Sequence, residues 1–461
     1  MKITIIGGGS YCWTPTFFRD LVCTEGLEGS EICLEDINPT HLNDLHRCCQ
    51  AILVQLGKTK QFKLSATTDL AKALRGTNYA IMTLTTGGYD AMEHDLKIPY
   101  KYGIYQPVGD TVGPGGISRS LRNIPVVVNI AKQMEKYCPE AWLLNITNPM
   151  STLTRCVGRE TKIRCIGLCH ELYGTLAKLQ KMLGCNDWRK DFDCVSVGVN
   201  HLPWIIRLRY LGKDAFPVLQ QALRDGKLPS DSPAPGTALD HTMMGSNQVK
   251  FALFQAYKAL PAAEDRHLVE FFPYFCTAKM RKGAAMGVKL TTMEERRNSH
   301  TPSWKKRVAG ITSGEIKIEA TVSRESASKV IAALDGQGEW KDVINIPNAG
   351  QVPGIARDVV IETMGIISRD HAYGLPVGDV PPAILTQIER HATNQEMTVE
   401  AAITGDRSLV HQVMLNDPLC GSIGDFRQME KMMNEMLEAN RQWLPQFFGK
   451  DSKPRQQRRK S

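Results

Sequence analysis

The feature that most constrains the fold is a glycine run directly after the first short apolar segment. Residues 2–6 (KITII) predict a buried strand, and the next four residues are Gly7, Gly8, Gly9 and Ser10. Helical periodicity then begins near residue 14, with Pro15 at a position that a first helical turn tolerates. A strand, a glycine turn and a helix in this order open a βαβ unit, so the N-terminus predicts a parallel sheet.

The same alternation continues along the first part of the chain. Helical segments are predicted at 14–23 and 41–57, and each further apolar run stops at polar or glycine residues. Alternating strands and helices predict an α/β Rossmann-type fold, in which ligands bind at the carboxyl ends of the strands. The further strands are predicted at 31–35, 79–85, 141–146 and 163–168.

Beyond residue 193 the pattern changes to a mixture of helices and a few strands. Strands are predicted at 193–199, 205–210 and 316–320, helices at 243–260, 383–404 and 425–446, and a surface loop at 227–236. We therefore predict an NAD-binding Rossmann-like domain at 1–195 and a helix-rich α+β domain at 196–448. The second domain is expected to carry substrate, metal and oligomer contacts, and 449–461 to be a basic, disordered tail.

Charge and apolar patterning exclude several classes of protein. The net charge of +8 is concentrated in the last twelve residues, which carry six Lys/Arg and one Asp. We interpret this tail as a solvated terminus rather than a nucleic-acid or membrane-surface patch. No apolar run approaches the ~20 residues that span a bilayer. The thirteen cysteines are scattered, which favours reduced thiols and a cytoplasmic protein.

The glycine run has the context of a dinucleotide site. Gly7 and Gly9 follow a strand and precede a helix, so a pyrophosphate could approach the backbone closely. Cys12 stands where a third glycine is usual. Asp36 ends the second strand and favours NAD over NADP, although a tight structural turn remains the alternative. The predicted nucleotide contacts are Gly7, Gly9, Ser10, Asp36 and Thr86.

A second group of polar residues follows the later strands. Cys169 ends one strand, and His201 lies about thirty residues further on; a thiolate and an imidazole are a plausible divalent-metal pair. The alternative is a core thiol and a satisfied histidine. Asn148 in a strand-end turn, Asp110 in a glycine-dense loop and the run 264–267 (EDRH) add further candidates, although each could instead form a turn or a helix cap.

Together these motifs resemble glycoside hydrolase family 4, the NAD- and divalent-metal-dependent glycosidases. The resemblance covers residue 1 to about 448, and the first domain also looks like a lactate/malate dehydrogenase nucleotide domain. The motifs are MKITIIGGGSY at 1–11, LEDIN at 34–38, YGIYQPVGDTVGPGG at 102–116, WLLNITNPM at 142–150, GLCHE at 167–171, GVNH at 198–201, EDRH at 264–267 and LNDPL at 415–419.

The resemblance implies a redox–elimination mechanism rather than the usual two-carboxylate hydrolysis. NAD takes a hydride from C3 of the sugar, and the resulting ketone acidifies the proton on C2. A base removes that proton while Mn²⁺ or another divalent metal stabilises the charge on the sugar oxygens. The leaving group at C1 is then expelled, water adds, and the hydride returns to C3.

The resemblance also implies roles for individual residues, and a homodimer or homotetramer. Cys169 and His201 would bind the metal, Asp265 would be the base at C2, and Asp110 the acid, with His170 as its rival. Substrate contacts are expected from Asn148, Glu171, Arg266 and His267.

The residues after Cys169 bear on the substrate. Cys169-His170-Glu171 is similar to the branch acting on unphosphorylated α-glucosides, and Glu171 would repel a phosphate or a uronate. An α-glucoside is therefore the first expectation, with α-galactosidase and α-glucuronidase or α-galacturonidase as alternatives within the family. An NAD-dependent 2-hydroxy-acid dehydrogenase and a non-catalytic sugar-binding protein are alternatives from other classes.

Overall fold

A computed structural model describes residues 1–185, 187–226 and 246–449. Within these ranges thirteen strands form one mixed sheet. The strands are β1 (Lys2–Ile6), β2 (Glu31–Glu35), β3 (Lys63–Thr67), β4 (Tyr79–Met82), β5 (Trp142–Asn145), β6 (Arg164–Gly167), β7 (Phe192–Val199), β8 (Leu202–Tyr210), β9 (Lys213–Asp214), β10 (Leu260–Pro261), β11 (Trp340–Pro347), β12 (Val360–Ser368) and β13 (His371–Gly374).

Half of the sheet is parallel and has the strand order β3-β2-β1-β4-β5-β6. This is the order of dinucleotide-binding sheets, in which the chain reverses its direction of growth between β1 and β4. The predicted Rossmann-type fold is confirmed. The crevice outside the carboxyl ends of β1 and β4 is therefore where this fold binds a nucleotide.

The other half is antiparallel and continues from β6 through β11, β12, β7, β8 and β10. The two halves join through β6 and β11, where Asn345 pairs with Gly167. The predicted domain boundary near residue 195 falls inside β7. The limits 1–195 and 196–448 stay predictions.

Helices cover both faces of the parallel half. Several begin at side-chain caps, as where Asn38 accepts the N–H groups of Thr40 and His41. The described helices are α1 (Thr14–Cys23), α2 (Pro39–Gln55), α3 (Leu70–Leu74), α4 (Gly88–Lys101), α5 (Gly113–Tyr137), α6 (Met150–Glu160), α7 (Glu171–Leu183), α8 (Trp188–Asp191), α9 (Phe216–Arg224), α10 (Gln248–Tyr257), α11 (Asp265–Phe271), α12 (Met293–Glu295), α13 (Thr301–Ser313), α14 (Ala327–Leu334), α15 (Pro382–Thr404), α16 (Arg407–Asn416), α17 (Pro418–Gly421), α18 (Phe426–Ala439) and α19 (Pro445–Phe448).

The helix packing shows why the second half of the chain does not form a separate layer. One core joins α5 and α6 to the late helices α15, α16 and α18 on one face of the parallel sheet. The opposite face packs α1 and α2 against α13 and α14. Both cores thus mix residues from the two predicted domains. None of the helices in the described ranges combines the length and apolar character that crossing a membrane requires.

Several predicted elements differ in the structure. The strand predicted at 316–320 is wrong, because the side-chain amide of Gln55 binds the Ile316 carbonyl and the Ile318 N–H in place of a strand partner. The long helix predicted at 425–446 ends at Ala439. The helix predicted at 243–260 is described as Gln248–Tyr257, and the strands β3, β9, β10, β11, β12 and β13 were not predicted. The loop predicted at 227–236 and residues 450–461 of the tail lie outside the described residues.

Candidate functional site

The glycine loop after β1 is packed too closely for any side chain at Gly7. The N–H groups of Gly7 and Gly8 donate to the Glu35 carbonyl at 2.9 and 2.7 Å, which ties the loop to the end of β2. Gly7 has a φ of 85°, and a Cβ placed there would lie 1.8 Å from the Thr83 carbonyl oxygen. Only glycine therefore fits at this position, and the turn from β1 towards α1 stays tight at the carboxyl edge of the sheet.

Asp36 lies directly against this loop. Its Oδ2 accepts the N–H of Gly9 at 2.9 Å and its Oδ1 accepts the N–H of Asn38 at 2.8 Å. The Ser10 hydroxyl accepts the Trp13 N–H at 3.3 Å and so begins the turn into α1. Four of the five predicted nucleotide contacts thus lie together, and the fifth, Thr86, follows β4.

A cluster of three possible metal ligands lies at the junction of the two halves of the sheet. Donor atoms of Asp110, His201 and His267 all lie within 4.8 Å of one another. Asp110 comes from the loop before α5, His201 from the two-residue turn between β7 and β8, and His267 from α11. His201 has a φ of 66°, an uncommon backbone conformation for a non-glycine residue that often marks a functional site.

Burial keeps the two histidines of this cluster neutral. It lowers the pKa of His267 to about 3 and also lowers the pKa of His201. The two rings stack with centroids 3.7 Å apart, and the Thr111 hydroxyl lies 2.6 Å from Nδ1 of His201. A neutral imidazole offers the lone pair that a metal ion needs, so the environment suits ligation.

A chain of hydrogen bonds joins the predicted nucleotide contacts at the carboxyl edge of the sheet, here called the nucleotide edge, to the three-residue cluster. The Thr86 N–H donates to Asn123 Oδ1 at 3.0 Å, and Asn123 Nδ2 donates to the Asn148 carbonyl at 3.4 Å. Asn148 Nδ2 then donates to Asp110 Oδ2 at 3.1 Å. The buried Oδ1 of Asn148 has no hydrogen-bond partner among the described residues, which leaves it as an acceptor for a ligand.

Cys169 follows β6 but does not belong to the three-residue cluster. Burial raises the pKa of its thiol, with Glu362 and Glu171 nearby raising it further, and the Asn200 side chain hydrogen-bonds to it. Because Asn200 precedes His201, the thiol lies beside the segment that carries one cluster histidine. Its role as a metal ligand stays a prediction.

The two residues after Cys169 are held by other parts of the chain. Glu171 Oε2 accepts the N–H of Glu264 at 2.6 Å, and its Oε1 lies 3.8 Å from Nε2 of His267. His170 Nδ1 lies 2.9 Å from Oε1 of Glu325, and this carboxylate raises the pKa of His170 to about 10. The histidine is therefore protonated at neutral pH, and its role as the acid stays a prediction.

The predicted base, Asp265, is fully buried and already bound to backbone. Its two oxygens accept the N–H groups of Val249 and Lys250 at 3.2 and 2.9 Å, at the first turn of α10. Burial raises the pKa of Asp265. The neighbouring Arg266 lies 3.5 Å from the Thr291 hydroxyl. The catalytic role of Asp265 stays a prediction, and the structure adds a helix-capping role.

Sequence reasoning identified all three cluster residues but divided them among different roles. It predicted Asp110 as an acid, His201 as a metal ligand and His267 as a substrate contact. It missed Thr111 and Asn123, which hold the cluster and its link to the nucleotide edge. The position of Thr111 beside Asp110 was the one available signal, whereas Asn123 lies inside a helix and had none.

Comparison with known proteins covers nearly the whole chain. A sequence model described as "Family 4 glycosyl hydrolase" matches residues 2–185, and one described as its C-terminal domain matches residues 196–420. An α-galacturonidase of Thermoanaerobacter italicus is 33% identical, with 96% of this chain and 97% of the relative covered. An α-glucosidase of Erwinia rhapontici is 28% identical, with 96% and 98% covered.

Solved structures agree with the fold. The Bacillus subtilis protein lplD superposes with a TM-score of 0.86 at 31% identity, covering 95% of this chain and 99% of that one. A Thermotoga maritima 6-phospho-β-glucosidase, solved with manganese, NAD⁺ and glucose-6-phosphate, gives 0.77 at 21% identity, covering 96% and 99%. A Cryptosporidium parvum lactate dehydrogenase gives 0.50 at 12% identity, covering 87% and 98%, which confirms the predicted dehydrogenase-like sheet.

Proposed function

Because the chain belongs to family 4 of the glycosyl hydrolases, we propose that it is an NAD- and Mn²⁺-dependent α-glycosidase, with α-galacturonides as its first substrate class. The observation that carries the proposal is the chain of hydrogen bonds from Thr86 to Asp110. It links a nucleotide edge to a cluster of metal-ligand side chains, so two cofactors would act on one bound sugar.

The glycine loop fits a dinucleotide. A Cβ would collide with Thr83 at Gly7 and with Asp36 at Gly9, so only glycine allows the tight turn that leads into α1, at whose N-terminus a pyrophosphate would lie. Asp36 would receive the adenine ribose hydroxyls, which favours NAD over NADP. When bound, NAD would supply the chemistry of reversible hydride transfer at the sugar ring.

The donor set of the cluster fits a divalent ion. Asp110 offers carboxylate oxygens, and His201 and His267 offer nitrogens of neutral imidazoles; Mn²⁺ accepts both types of ligand. Cys169 is the candidate for a further ligand. When bound, the metal would supply Lewis-acid polarisation of substrate oxygens.

The side chains around the cluster would orient the sugar and move protons. The free Oδ1 of Asn148 would accept a hydrogen bond from a sugar hydroxyl beside the cluster. We now assign Asp110 to the metal rather than to the acid, since a carboxylate among ligands remains ionised. His170 then becomes the first candidate to hold the proton that the leaving group needs, with Glu325 fixing its ring.

The choice of an α-galacturonide rests on relatives and on Glu171. Four relatives named α-galacturonidase are 31–33% identical over 95–96% of this chain. The sequence disfavours a uronate because Glu171 would repel it. The Glu171 carboxylate, however, accepts the Glu264 N–H and interacts with the protonated His170, so part of its charge is offset within the protein.

An α-glucoside is the second candidate. It is favoured by Cys169-His170-Glu171, which resembles the α-glucosidase branch of the family. The α-glucosidase relative is nevertheless less similar, at 28% identity.

The proposal is tested by 4-nitrophenol release from α-galacturonide, α-glucoside and α-galactoside, with the β-anomers as controls. The protein is reduced with thiol, stripped with EDTA, and resupplied with Mn²⁺ and NAD⁺ singly and together. We expect release only with both, fastest from the α-galacturonide, and without net formation of NADH.

Other results would redirect the proposal. Release without NAD⁺ would contradict the redox–elimination mechanism. Fastest release from the α-glucoside would keep the mechanism and return the substrate to the second candidate. Net NADH formation with a 2-hydroxy acid would make the chain a dehydrogenase.

A further inference from the structure

Glu270 carries a buried carboxyl group to which neither the sequence nor the proposed chemistry gives a role. It is 1% exposed and lies on α11, one helical turn after His267. Its Oε1 accepts two backbone N–H groups, from Val108 at 2.7 Å and from Gly109 at 2.8 Å. Both donors immediately precede Asp110 in the chain.

One short helix therefore carries one cluster ligand and also binds the loop that carries another. Residues three apart on a helix lie on the same face, so His267 and Glu270 both point towards the loop at 108–111. The N–H groups of Val108 and Gly109 lie in a loop and do not pair with a strand. A single oxygen of Glu270 accepts both of them. Both bonds are shorter than the usual N–H···O distance of about 2.9–3.0 Å, which suits an anchor.

The loop has a second attachment further along. The Gly113 N–H donates to Asp417 Oδ2 at 3.0 Å, and the Gly115 N–H donates to Gln106 Oε1 at 3.0 Å. These bonds fix the start of α5, whereas the N–H groups of the two residues before Asp110 donate to Glu270. Gly109 has a φ of 64°, and a Cβ there would lie 2.6 Å from Leu96.

We propose that Glu270 is a positioning residue that fixes Asp110 relative to His267 and thereby sets the geometry of the three candidate metal ligands. This inference rests on the proposed function, because it takes the cluster to bind a divalent ion. Groups that orient metal ligands through hydrogen bonds affect metal affinity strongly although they do not touch the metal.

The test compares two variants of Glu270 by Mn²⁺ titration and NAD⁺ titration in a calorimeter. Glu270→Met has a similar volume but no acceptor, and we expect its Mn²⁺ dissociation constant to rise about 10- to 100-fold. Glu270→Gln retains an acceptor oxygen, and we expect it to stay within about threefold of the wild type. NAD⁺ affinity should change little in either variant.

A matched control separates positioning from general loss of stability. Asp342 is equally buried and also accepts a backbone N–H, from Val343 at 2.7 Å, but lies on β11 outside the loop. Asp342→Leu should lower the melting temperature without weakening Mn²⁺ binding. Wild-type Mn²⁺ affinity in Glu270→Met, or equal weakening in Glu270→Gln and Glu270→Met, would overturn the proposal.

Hydrogen exchange tests the anchor even if Glu270→Met does not fold. In the metal-free wild type, the amide hydrogens of Val108 and Gly109 should exchange as slowly as those of the sheet. Fast exchange there would overturn the inference. A wild-type protein that binds no Mn²⁺ would contradict the proposed function, while the exchange rates would still decide the role of Glu270.

Discussion

The candidate nucleotide site at the carboxyl edge of the sheet and the cluster of candidate metal ligands are built in opposite ways. The nucleotide edge draws Gly7, Gly9 and Asp36 from one βαβ unit, and the N–H groups of its glycine loop donate to oxygens at the end of β2. The cluster draws Asp110, His201 and His267 from three distant segments, including the antiparallel half of the sheet. The first region depends on backbone conformation, whereas the second depends on tertiary packing.

This difference predicts that a substitution can impair one region without impairing the other. The largest loss of activity is expected at His201. Removing its imidazole in His201→Ala takes one donor from the cluster. Activity should fall by about three orders of magnitude, which corresponds to ~4 kcal/mol of lost charge stabilisation. Calorimetric titration should record weakened Mn²⁺ binding and unchanged NAD⁺ binding. Loss of both would contradict the independence of the two regions.

Gly7→Ala should have the reverse effect. The new Cβ would collide with the Thr83 carbonyl at a φ of 85°, so the loop must move. We expect NAD⁺ affinity to fall about 100-fold while Mn²⁺ affinity stays within about twofold, because the displaced loop no longer fits against the pyrophosphate at the start of α1.

Gly29→Ala is the matched control for Gly7→Ala. Gly29 has a φ of 83°, but a Cβ there would meet nothing within 4 Å. It carries the same backbone strain without the collision, so it should lower stability by about 1 kcal/mol and leave NAD⁺ binding intact. Equal loss of NAD⁺ affinity in both variants would mean that strain, rather than loop geometry, is responsible.

The difference between the regions also explains what could be predicted from sequence. Gly7, Gly9 and Asp36 were predicted as one site, because strand, turn and helix follow each other along the chain. Asp110 and His267 were predicted with different roles, because nothing in the sequence indicates that the loop before α5 contacts α11. The strand predicted at 316–320 failed for the same reason: alternation was present, but Gln55 bound the backbone instead.

Asn123 is the residue that connects the two regions. Asn123→Ala removes both its bond to Thr86 and its bond to the Asn148 carbonyl. We expect kcat to fall about 10- to 100-fold, because a small misalignment of the two cofactor sites slows the reaction strongly. The affinity for each cofactor should change less than about threefold. Steady-state kinetics and two titrations check this, and an unchanged kcat would show that the regions need no such link.

A further effect concerns stability in acid rather than cofactor binding. Burial lowers the pKa of His391 on α15 to about 3, so the histidine is neutral when folded but takes up a proton below its usual pKa when unfolded. Its stability contribution is complete above about pH 6.5 and is lost as the pH falls towards 3.

His391→Gln should therefore lose less stability on acidification than the wild type. The difference should reach about 1.4 kcal/mol at pH 5.5, one unit below the unfolded pKa. Urea unfolding at pH 7.5 and 5.5 measures it for both proteins. Equal losses would mean that His391 does not stay neutral in the folded state.

The most direct test of the whole account is hydrolysis of the preferred α-glycoside in D₂O, followed by NMR of the released sugar. If the nucleotide edge and the metal cluster act together, the C2 proton is removed and replaced during each turnover. The account predicts deuterium at C2 of the product, and none at that position without NAD⁺ or Mn²⁺. A product that retains hydrogen at C2 would contradict it.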